Sequence, residues 1–495
     1  MTAAPPSAFV GRAAELARLV AALDEAGQGR APAVVVEGES GAGKTRLLQE
    51  FAAVAADRGA TVLVGRCVDC GEAGPPYWPF VEALRPLSAD AGPGRGTAAG
   101  AGAPDGGIGD RPGYFEQVLD RLEAAGRRSP VVLLLDDLHW ADRSTRDLLG
   151  FLLANLAGGP GPLVVAAVRS EALVPGHPLG PLLAELRRSR RAEFLALDRL
   201  GKADVAAQMA TILGARPEAE LLDEIWRRSE GNPFFVEELL AAARAGRPLT
   251  AGLAPILSAR LDALSPAARS AAGAVATAVG PVPHRILAQV SGLAEPALLA
   301  GLRECVDHHV LEADGAAGTY AFRHSLLRES AYASLLPGEA TRLHAAYGRV
   351  LSATLATTSP AAGPGPTGMP AGTGRSVAVP PVGAPAGVAH MAAVAWHLYA
   401  AGDAEGALSA ALAAAEAAEA AAGYAEAQVQ YERALELAGR LPAHAGGGLD
   451  RTSLAERAAE AALLAGDPAR AVELVEMAAA GAGAADASRL QLALG

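Results

Sequence analysis

One segment of the chain, residues 38–45, constrains its fold more than any other. It reads Gly-Glu-Ser-Gly-Ala-Gly-Lys-Thr, which completes the pattern G-x-x-x-x-G-K-T. The apolar run Ala33–Val36 precedes the segment, and the helical pattern Leu47–Ala56 follows it. Glycines let successive backbone N–H groups converge on phosphate oxygens, and the N-terminus of the following helix adds positive potential. In this strand-to-helix context the pattern predicts a P-loop rather than a glycine-rich turn without a ligand.

The P-loop pattern predicts a ligand as well as a local fold. We expect the phosphates of ATP or ADP to lie among its residues, which are Gly38, Glu39, Ser40, Gly41, Ala42, Gly43, Lys44 and Thr45. The Lys44 ammonium would reach the β- and γ-phosphates, and the Thr45 hydroxyl would be a ligand of Mg²⁺. Lysine occurs at only one other position, Lys202, and arginine supplies the remaining positive charge of the side chains. The presence of one of these two lysines at position 44 therefore indicates that a compact cation is required there.

Charged residues follow two further apolar runs. Asp136 and Asp137 follow Val131–Leu135, and Arg169 follows Leu163–Val168. Buried parallel strands deliver the next residue to the carboxyl edge of the sheet, where ligands of open α/β sheets bind. Asp136 is predicted to hold Mg²⁺, mostly through water, and Asp137 to orient or deprotonate the attacking water. Arg169 would stabilise charge on the γ-phosphate. A solvated acidic turn and a surface arginine are the open alternatives.

Up to about Leu200, short apolar runs alternate with helical patterns. The predicted strands are Ala33–Glu37, Thr61–Gly65, Val131–Leu135, Leu163–Val168 and Phe194–Leu197. Continuous apolar runs are typical of strands buried on both faces, so residues 1–200 are predicted to form an α/β P-loop NTPase core with a parallel sheet. A Gly/Ala/Pro-rich stretch at residues 90–113 is predicted to be a flexible insertion, because it cannot bury enough apolar surface to fold.

Three regions follow the predicted core. Residues 201–248 have helical patterns and are predicted to form a helical lid. Residues 249–355 combine short helices with two strands around Asp314–Gly315, which predicts a winged-helix domain and a following helix. A Pro/Gly-rich disordered linker is predicted at residues 356–388.

The last region, residues 389–495, is rich in Ala, Leu and Glu and has helical periodicity. The phrase Ala401-Gly402-Asp403 recurs as Ala465-Gly466-Asp467. Recurring helix-turn-helix phrases predict α-helical TPR-like repeats, and an alanine-rich helical bundle is the alternative. Because no polar capping helix closes the array, we expect a truncated chain whose full gene product continues beyond Gly495.

The net charge of −12 limits the partners that this chain can bind. A positive surface is needed to hold a phosphate backbone. The segment Ala479–Gly495 contains a single arginine, Arg489, and offers no helix that could read base edges. We therefore expect no specific DNA binding by this chain alone.

The three cysteines, Cys67, Cys70 and Cys305, are too few for a disulfide framework. Neither an apolar run of membrane-spanning length nor a secretory signal is present, so we expect no membrane association and a cytoplasmic location. Cys67 and Cys70 form a C-x-x-C pair without a second pair at zinc spacing. We therefore expect no metal or redox role for them.

Five segments with distinctive residues occur in order along the chain. They are Phe9–Arg12, the P-loop, Leu135–Asp142, Glu230–Leu239 and Phe322–Glu329. Together they resemble the STAND class of AAA-related signalling ATPases, and especially the large ATP-binding transcriptional regulators of the LuxR family from actinobacteria. The resemblance covers about residues 9–336 closely and the C-terminal repeats loosely.

The resemblance implies further nucleotide contacts. Val10, Gly11 and Arg12 would line the adenine pocket through backbone groups. Pro233 would pack on the nucleotide from the lid, and a helix-start proline is the alternative. His324 would contact the β-phosphate of ADP, although the local motif is Phe-Arg-His rather than Met-His-Asp. A helix-capping or core histidine is the alternative for His324.

The function that the resemblance implies is a slowly hydrolysing ATP switch. ADP would lock the winged helix over the nucleotide, and ATP with an inducer would favour an open form that self-assembles. The helical repeats would bind the inducer or a partner protein, and transcription would be controlled through an effector domain missing from this chain. A regulatory ATPase module like those of soluble adenylyl cyclases and a scaffold with a vestigial ATPase are the alternatives. The short Asp137 side chain and the absence of an evident arginine finger both favour slow turnover.

Overall fold

The computed structural model describes residues 9–28, 33–68, 74–89, 111–156, 161–244, 246, 253–358, 386–441 and 451–481. The chain divides into two compact units. The first consists of Met1–Cys67, Leu122–His139 and Leu153–Ala340, and the second of Val68–Arg121, Trp140–Leu152 and Thr341–Gly495. The P-loop and both β-sheets lie in the first unit, and the C-terminal helices lie in the second.

A five-stranded parallel sheet with the order β2-β3-β4-β1-β5 forms the centre of the first unit. Its strands are β1 Ala33–Gly38, β2 Thr61–Arg66, β3 Val131–Asp136, β4 Leu163–Arg169 and β5 Glu193–Ala196. The ends of each strand lie within one residue of the ends predicted from the apolar runs. The predicted parallel sheet is therefore confirmed.

Helices alternate with these strands along the chain. They are α1 Ala13–Ala26, α2 Lys44–Asp57, α3 Trp78–Ala89, α4 Arg111–Gly126, α5 Arg143–Asn155 and α6 Gly180–Ser189. Alternate strand residues such as Val34, Val36 and Leu134 pack in one cluster with Leu19 of α1 and Phe51 of α2. The intervening residues of β1, β3 and β4 are buried as well, apart from Glu37. Burial on both faces explains why these runs lack the alternation of a half-exposed strand.

Three helices follow the sheet in the region predicted as the lid. They are α7 Lys202–Leu213, α8 Ala219–Ser229 and α9 Pro233–Arg244. Their apolar stripes meet in a small core of their own, which includes Val205, Met209, Ile225 and Leu239. The start of α9 lies next to the P-loop, because the backbone N–H of Phe234 donates to the Gly41 carbonyl at 3.3 Å.

The region predicted as a winged helix combines helices with a small antiparallel sheet. Its helices are α10 Leu253–Asp262, α11 Pro266–Thr277, α12 His284–Val290, α13 Glu295–Asp307, α14 Ser325–Ala333 and α15 Pro337–Thr358. Its strands are β6 Val282–Pro283, β7 Leu311–Asp314 and β8 Thr319–Phe322, in the order β6-β8-β7. The predicted hairpin is present, whereas β6 was not predicted because two residues that include a proline form no strand pattern. The winged-helix assignment itself stays a prediction.

The C-terminal helices of the second unit are α16 Ala386–Ala400, α17 Ala404–Ala420, α18 Tyr424–Arg440, α19 Arg451–Leu464 and α20 Pro468–Gly481. Each packs against the next in the chain, around a core in which most side chains are alanine. The recurring sequence phrase at residues 401–403 and 465–467 forms the same kind of turn at both places. Gly402 and Gly466 have φ values of 74° and 78°. The following Asp403 and Asp467 accept hydrogen bonds from backbone N–H groups three residues later. The TPR assignment stays a prediction.

Several predicted segments lie outside the described residues. These are residues 90–110 of the insertion, residues 359–385 of the linker, residues 482–495, and Cys70. Helix α4 begins inside the predicted insertion, and α15 and α16 extend into the two ends of the predicted linker. Within the described ranges, no helix has both the length and the apolar character needed to cross a lipid bilayer.

Candidate nucleotide site

The P-loop connects the end of β1 to the start of α2. Gly41 and Gly43 have φ values of 80° and 95°, which residues with side chains rarely adopt. A Cβ atom on Gly41 would also lie 2.8 Å from the Asn232 Oδ1 atom. Lys44 is the first residue of α2, so the loop precedes a helix N-terminus. Backbone donors and the helix dipole in this arrangement favour an anion.

The Lys44 side chain is buried and folds over the loop. Its Nζ atom donates to the carbonyl oxygens of Gly38 at 2.7 Å and Glu39 at 2.8 Å. Burial lowers the pKa of Lys44, and the negative charges of Glu171 and Asp137 oppose this shift. The ammonium therefore lies at the loop, and its contact with the β- and γ-phosphates stays a prediction.

The two predicted ligands of Mg²⁺ lie side by side. The Thr45 hydroxyl donates to Asp136 Oδ2 at 2.8 Å. Parallel pairing of β2 with β3 places Arg66 opposite Asp136, with 3.7 Å between Nη2 and Oδ2. Asp136 is buried at the end of β3, so the sheet holds its carboxylate at the carboxyl edge.

Asp137, the predicted base, has different surroundings from its neighbour. Its backbone has a φ of 53°, and its carboxylate Oδ1 lies 3.9 Å from His139 Nε2. Burial, followed by the charge of Asp136, raises the pKa of Asp137 to about 6. Burial also lowers the pKa of His139 to about 3, with Arg169 and Lys44 adding to the shift, so this imidazole is neutral.

Arg169 lies at the end of β4, but its side chain is bound by residues from the region after the lid. Its Nη2 donates to Ser325 Oγ at 2.8 Å, and its Nη1 lies 3.0 Å from Glu329 Oε1. Both partners belong to α14. The surface-arginine alternative is wrong for this residue, because Arg169 is buried. Its predicted contact with the γ-phosphate stays a prediction.

The segment predicted to line the adenine pocket contacts the P-loop through a side chain. The buried Arg12 guanidinium donates to the carbonyl oxygens of Ala42 and Asp198. A Cβ atom on Gly11 would lie 2.7 Å from the Leu200 side chain. Val10 is half-buried. The adenine contacts of all three residues stay predictions.

The Gly-Asn-Pro turn before α9 is also hydrogen-bonded to the P-loop. Asn232 Nδ2 donates to the Ser40 carbonyl at 2.9 Å, and Asn232 Oδ1 accepts from the Phe234 N–H at 3.1 Å. Pro233 is the first residue of α9, and its carbonyl accepts from Gln208 Nε2 at 3.0 Å. The helix-start role of Pro233 is thus present, and packing on a nucleotide stays a prediction.

His324 precedes α14 and makes no side-chain capping hydrogen bond. Its ring centroid lies 4.5 Å from that of Phe234, and its Nε2 lies 3.8 Å from Glu237 Oε2. His324 is thus the N-cap residue of α14 by position, but its side chain does not cap the helix. The histidine contacts α9 residues beside the P-loop, and its contact with a β-phosphate stays a prediction.

Three polar residues near the loop were not assigned roles from the sequence. They are Asn232, His139 and Glu171. Signals existed for Asn232 and His139, because both lie in segments that carry the family resemblance. Glu171 carries no such signal beyond its place two residues after a strand end.

The residues present fit a nucleoside phosphate with Mg²⁺. The left-handed Gly41 and Gly43 carry no side chain that could block the loop, Lys44 supplies a cation, and Thr45 and Asp136 offer oxygen ligands. Among residues with described placement, no group of three or more His, Cys, Asp or Glu side chains is arranged to hold a metal. A Mg²⁺ ion here would take its other ligands from phosphate and water, as this ion commonly does.

Comparison with known families agrees with this geometry. Residues 8–166 match the family described as AAA ATPase domain. The matched stretch, about a third of the chain, is similar to AAA ATPase domains. The match includes α1, the P-loop, and Asp136 and Asp137 at the end of β3.

Longer stretches of the chain are similar to two further proteins. An uncharacterized protein of Rhizobium meliloti strain 1021 is 27% identical over 372 residues, which are 64% of this chain and 34% of that protein. The crystal structure of a signal transduction ATPase with numerous domains, with a tetratricopeptide repeat sensor, from Pyrococcus horikoshii has a TM-score of 0.50 at 13% identity. That match covers 97% of this chain and 65% of the archaeal protein. At this identity the likeness shows the fold alone.

A Walker-type ATPase of Pyrococcus abyssi has a TM-score of 0.36 at 14% identity, with 65% of this chain and 96% of that chain covered. In length, the chain spans about a third of the Rhizobium meliloti protein and about two thirds of the Pyrococcus horikoshii protein.

Proposed function

We propose that this chain binds ATP or ADP with Mg²⁺ at the P-loop and acts as a slowly hydrolysing regulatory switch. One observation carries the switch part of the proposal. Arg169, at the edge of the sheet that would face the nucleotide, is bound by Ser325 and Glu329 of α14. A change at the phosphates would therefore act directly on a helix outside the AAA ATPase domain.

The chemistry assigned to each residue follows from its neighbours. Lys44 would bind the β- and γ-phosphate oxygens, and Thr45 and Asp136 would hold Mg²⁺. The bound metal would neutralise charge on the phosphates. Asp137 would accept the proton of a water whose oxygen bonds to the γ-phosphorus as the bond to the bridging oxygen breaks. ADP and phosphate would be the products.

Slow turnover is part of the proposal. Asp137 is one methylene shorter than glutamate, so it reaches less far towards a water above the phosphate. Arg169 would have to leave Ser325 and Glu329 before it could stabilise the transferred charge. Both features favour long-lived nucleotide states, which suit a switch better than a metabolic catalyst.

The wider role that we propose is that of a STAND-type regulator similar to the large LuxR-family regulators. The five ordered sequence segments support it, and so does a fold like that of an archaeal STAND protein with a TPR sensor. The helices α16–α20 would bind an inducer or partner protein, and the ATP-bound form would self-assemble. Transcriptional control would require an effector domain that we do not assign to this chain.

Nucleotide titration of two lysine variants tests the binding site. Lys44→Ala removes the one ammonium at the loop, and we expect ATP affinity in the presence of Mg²⁺ to fall at least about tenfold. Lys202→Ala is the matched control, because Lys202 is half-exposed on α7 and pairs with Asp223. Equal affinities of Lys44→Ala and the wild type would contradict the P-loop assignment. Measured turnover then separates a slow switch from a scaffold that binds ATP without hydrolysing it.

A further inference from the structure

A carboxylate of the chain itself is bound to the P-loop. The backbone N–H of Ser40 donates to Glu171 Oε1 at 2.6 Å. Glu171 belongs to the short 3-10 turn Ser170–Ala172, which follows β4 directly. The pairing of Gly38 with Arg169 across β1 and β4 brings this turn alongside the loop.

The contact has the chemistry of phosphate binding. A P-loop binds anions because its backbone N–H groups and the helix N-terminus point at one position. The carboxylate of Glu171 is an anion held by one of those N–H groups, at a distance typical of a charge-assisted hydrogen bond. Its negative charge also acts on the Lys44 ammonium more strongly than that of Asp136 or Asp137. Glu171 therefore interacts with two of the groups that the loop would offer to a nucleotide.

We infer that Glu171 is an intramolecular competitor for the phosphate-binding loop, and that a nucleotide must displace its carboxylate in order to bind. This inference rests on the proposed nucleotide site. A phosphate at the loop would repel the carboxylate and would take over the Ser40 N–H. Glu171 is exposed, so water can solvate it once it has left.

Displacement of Glu171 would also affect α14. The turn that carries Glu171 begins immediately after Arg169, whose guanidinium is bound to Ser325 and Glu329. Movement of the turn away from the loop would strain or release those two contacts. Through Glu171 and Arg169, this turn would thus transmit the binding of a nucleotide at the loop to α14.

Affinity measurements on two variants of Glu171 test the inference. We expect Glu171→Ala to bind ADP and ATP with Mg²⁺ roughly three- to tenfold more tightly than the wild type. This is the worth of one ordinary hydrogen bond, because the contact between Glu171 and the Ser40 N–H is exposed to solvent. Glu171→Gln keeps the acceptor oxygen but loses the charge, so its affinity should lie between the two. Glu185→Ala is the matched control, because Glu185 is an exposed acid on α6 that pairs with Arg188. Its nucleotide affinity should equal that of the wild type.

The outcome can be separated from that of the proposed function. If the wild type binds nucleotide and Lys44→Ala does not, the binding site stands. If Glu171→Ala then binds no more tightly than the Glu185→Ala control, the competitor role is wrong. Weaker binding by Glu171→Ala would likewise contradict it, since the carboxylate would then be helping the ligand. Thermal unfolding of each variant checks that the fold is intact.

Discussion

Asp136 and Asp137 are adjacent in the chain, yet their side chains meet different partners. Asp136 is the last residue of β3, and its carboxylate accepts from the Thr45 hydroxyl. Asp137 turns into the left-handed region, which aspartate and asparagine tolerate better than most residues, and faces His139. This change of direction separates the carboxylate that we propose holds Mg²⁺ from the one that we propose meets the attacking water. At the residue scale, we therefore expect substitutions of Asp136 and Asp137 to impair different steps, namely nucleotide binding and hydrolysis.

Asp137→Asn should leave ATP binding close to that of the wild type and lower the hydrolysis rate by at least about 100-fold, because an amide cannot accept the proton of the water. Asparagine suits the same backbone conformation, so the fold should be kept. Asp136→Ala should instead weaken the binding that depends on Mg²⁺. Single-turnover phosphate release and nucleotide titration measure the two effects. Normal turnover by Asp137→Asn would mean that the roles of the two acids are wrongly assigned.

At the scale of elements, the start of α5 shows how helices far apart in the chain depend on one another in the second unit. Asp142 caps this helix by accepting from the backbone N–H of Thr145 at 2.7 Å. Glu426 of α18 accepts from the N–H of Ser144 at 3.1 Å and also from the Ser144 hydroxyl. A helix N-terminus favours negative charge, but Glu426 is only 1% exposed. Burial, followed by the charge of Asp142, raises the pKa of Glu426 to about 7.

The raised pKa predicts a pH-dependent stability. Glu426 ionises at about 4.5 when unperturbed, so its contribution is complete below that pH and is lost as the pH rises through about 7. At about 1.4 kcal/mol per pKa unit, the free energy of unfolding should fall by an amount on the order of 3 kcal/mol as the pH rises through this range. Glu426→Gln keeps a hydrogen-bonding side chain without the charge and should remove that part of the decline.

The contribution of Glu426 must be taken as the difference in free energy of unfolding between the wild type and Glu426→Gln, because other groups titrate in the same pH range. Burial lowers the pKa of His344 to about 4, for example, which acts on stability in the opposite direction. Chemical unfolding at pH 5 and pH 8 should show a smaller decline for Glu426→Gln than for the wild type. Glu436→Gln on the same helix is the control, since Glu436 is exposed and pairs with Arg440. Identical declines in all three proteins would rule out Glu426 as the titrating group.

At the scale of the whole molecule, charge argues against a DNA-binding role. The net charge is −12, and two arginines near the small antiparallel sheet, Arg260 and Arg328, have partners within the chain. Arg260 pairs with Glu238 and donates to the His308 carbonyl. Arg328 donates to the carbonyl oxygens of Ala276 and Ala278. These two guanidinium groups are therefore already engaged in contacts within the fold.

We therefore expect this chain to show no sequence preference in a mobility-shift assay against DNA from upstream of its own operon. The assay should be run at about 150 mM salt, which suppresses nonspecific phosphate binding. A nucleotide-loaded sample serves as a second arm, so that an open form is tested too. A sequence-selective shift at nanomolar protein would overturn the expectation and assign DNA reading to the region of β6–β8.

The sequence by itself determined the features that depend on neighbouring residues. The P-loop could be predicted because its glycines, Lys44 and Thr45 are contiguous and their flanks read as a strand and a helix. The edge position of Asp136 and Asp137 followed from the apolar run of β3. The turn at Gly402 and Asp403 was visible as a recurring phrase, since a left-handed glycine and an N-capping aspartate act over a few residues.

Only the tertiary structure decided which distant polar groups meet. Ser40 bonds to Glu171 across 131 residues and to Asn232 across 192, and Glu426 reaches Ser144 across 282. Arg169, which was predicted to contact a phosphate, is bound by Ser325 and Glu329 of α14, and nothing in the sequence indicated that contact. Such pairs leave no periodic pattern in the sequence, because each partner is a single polar residue at an element end. Their meeting depends on how sheet and helices pack, which no local segment specifies.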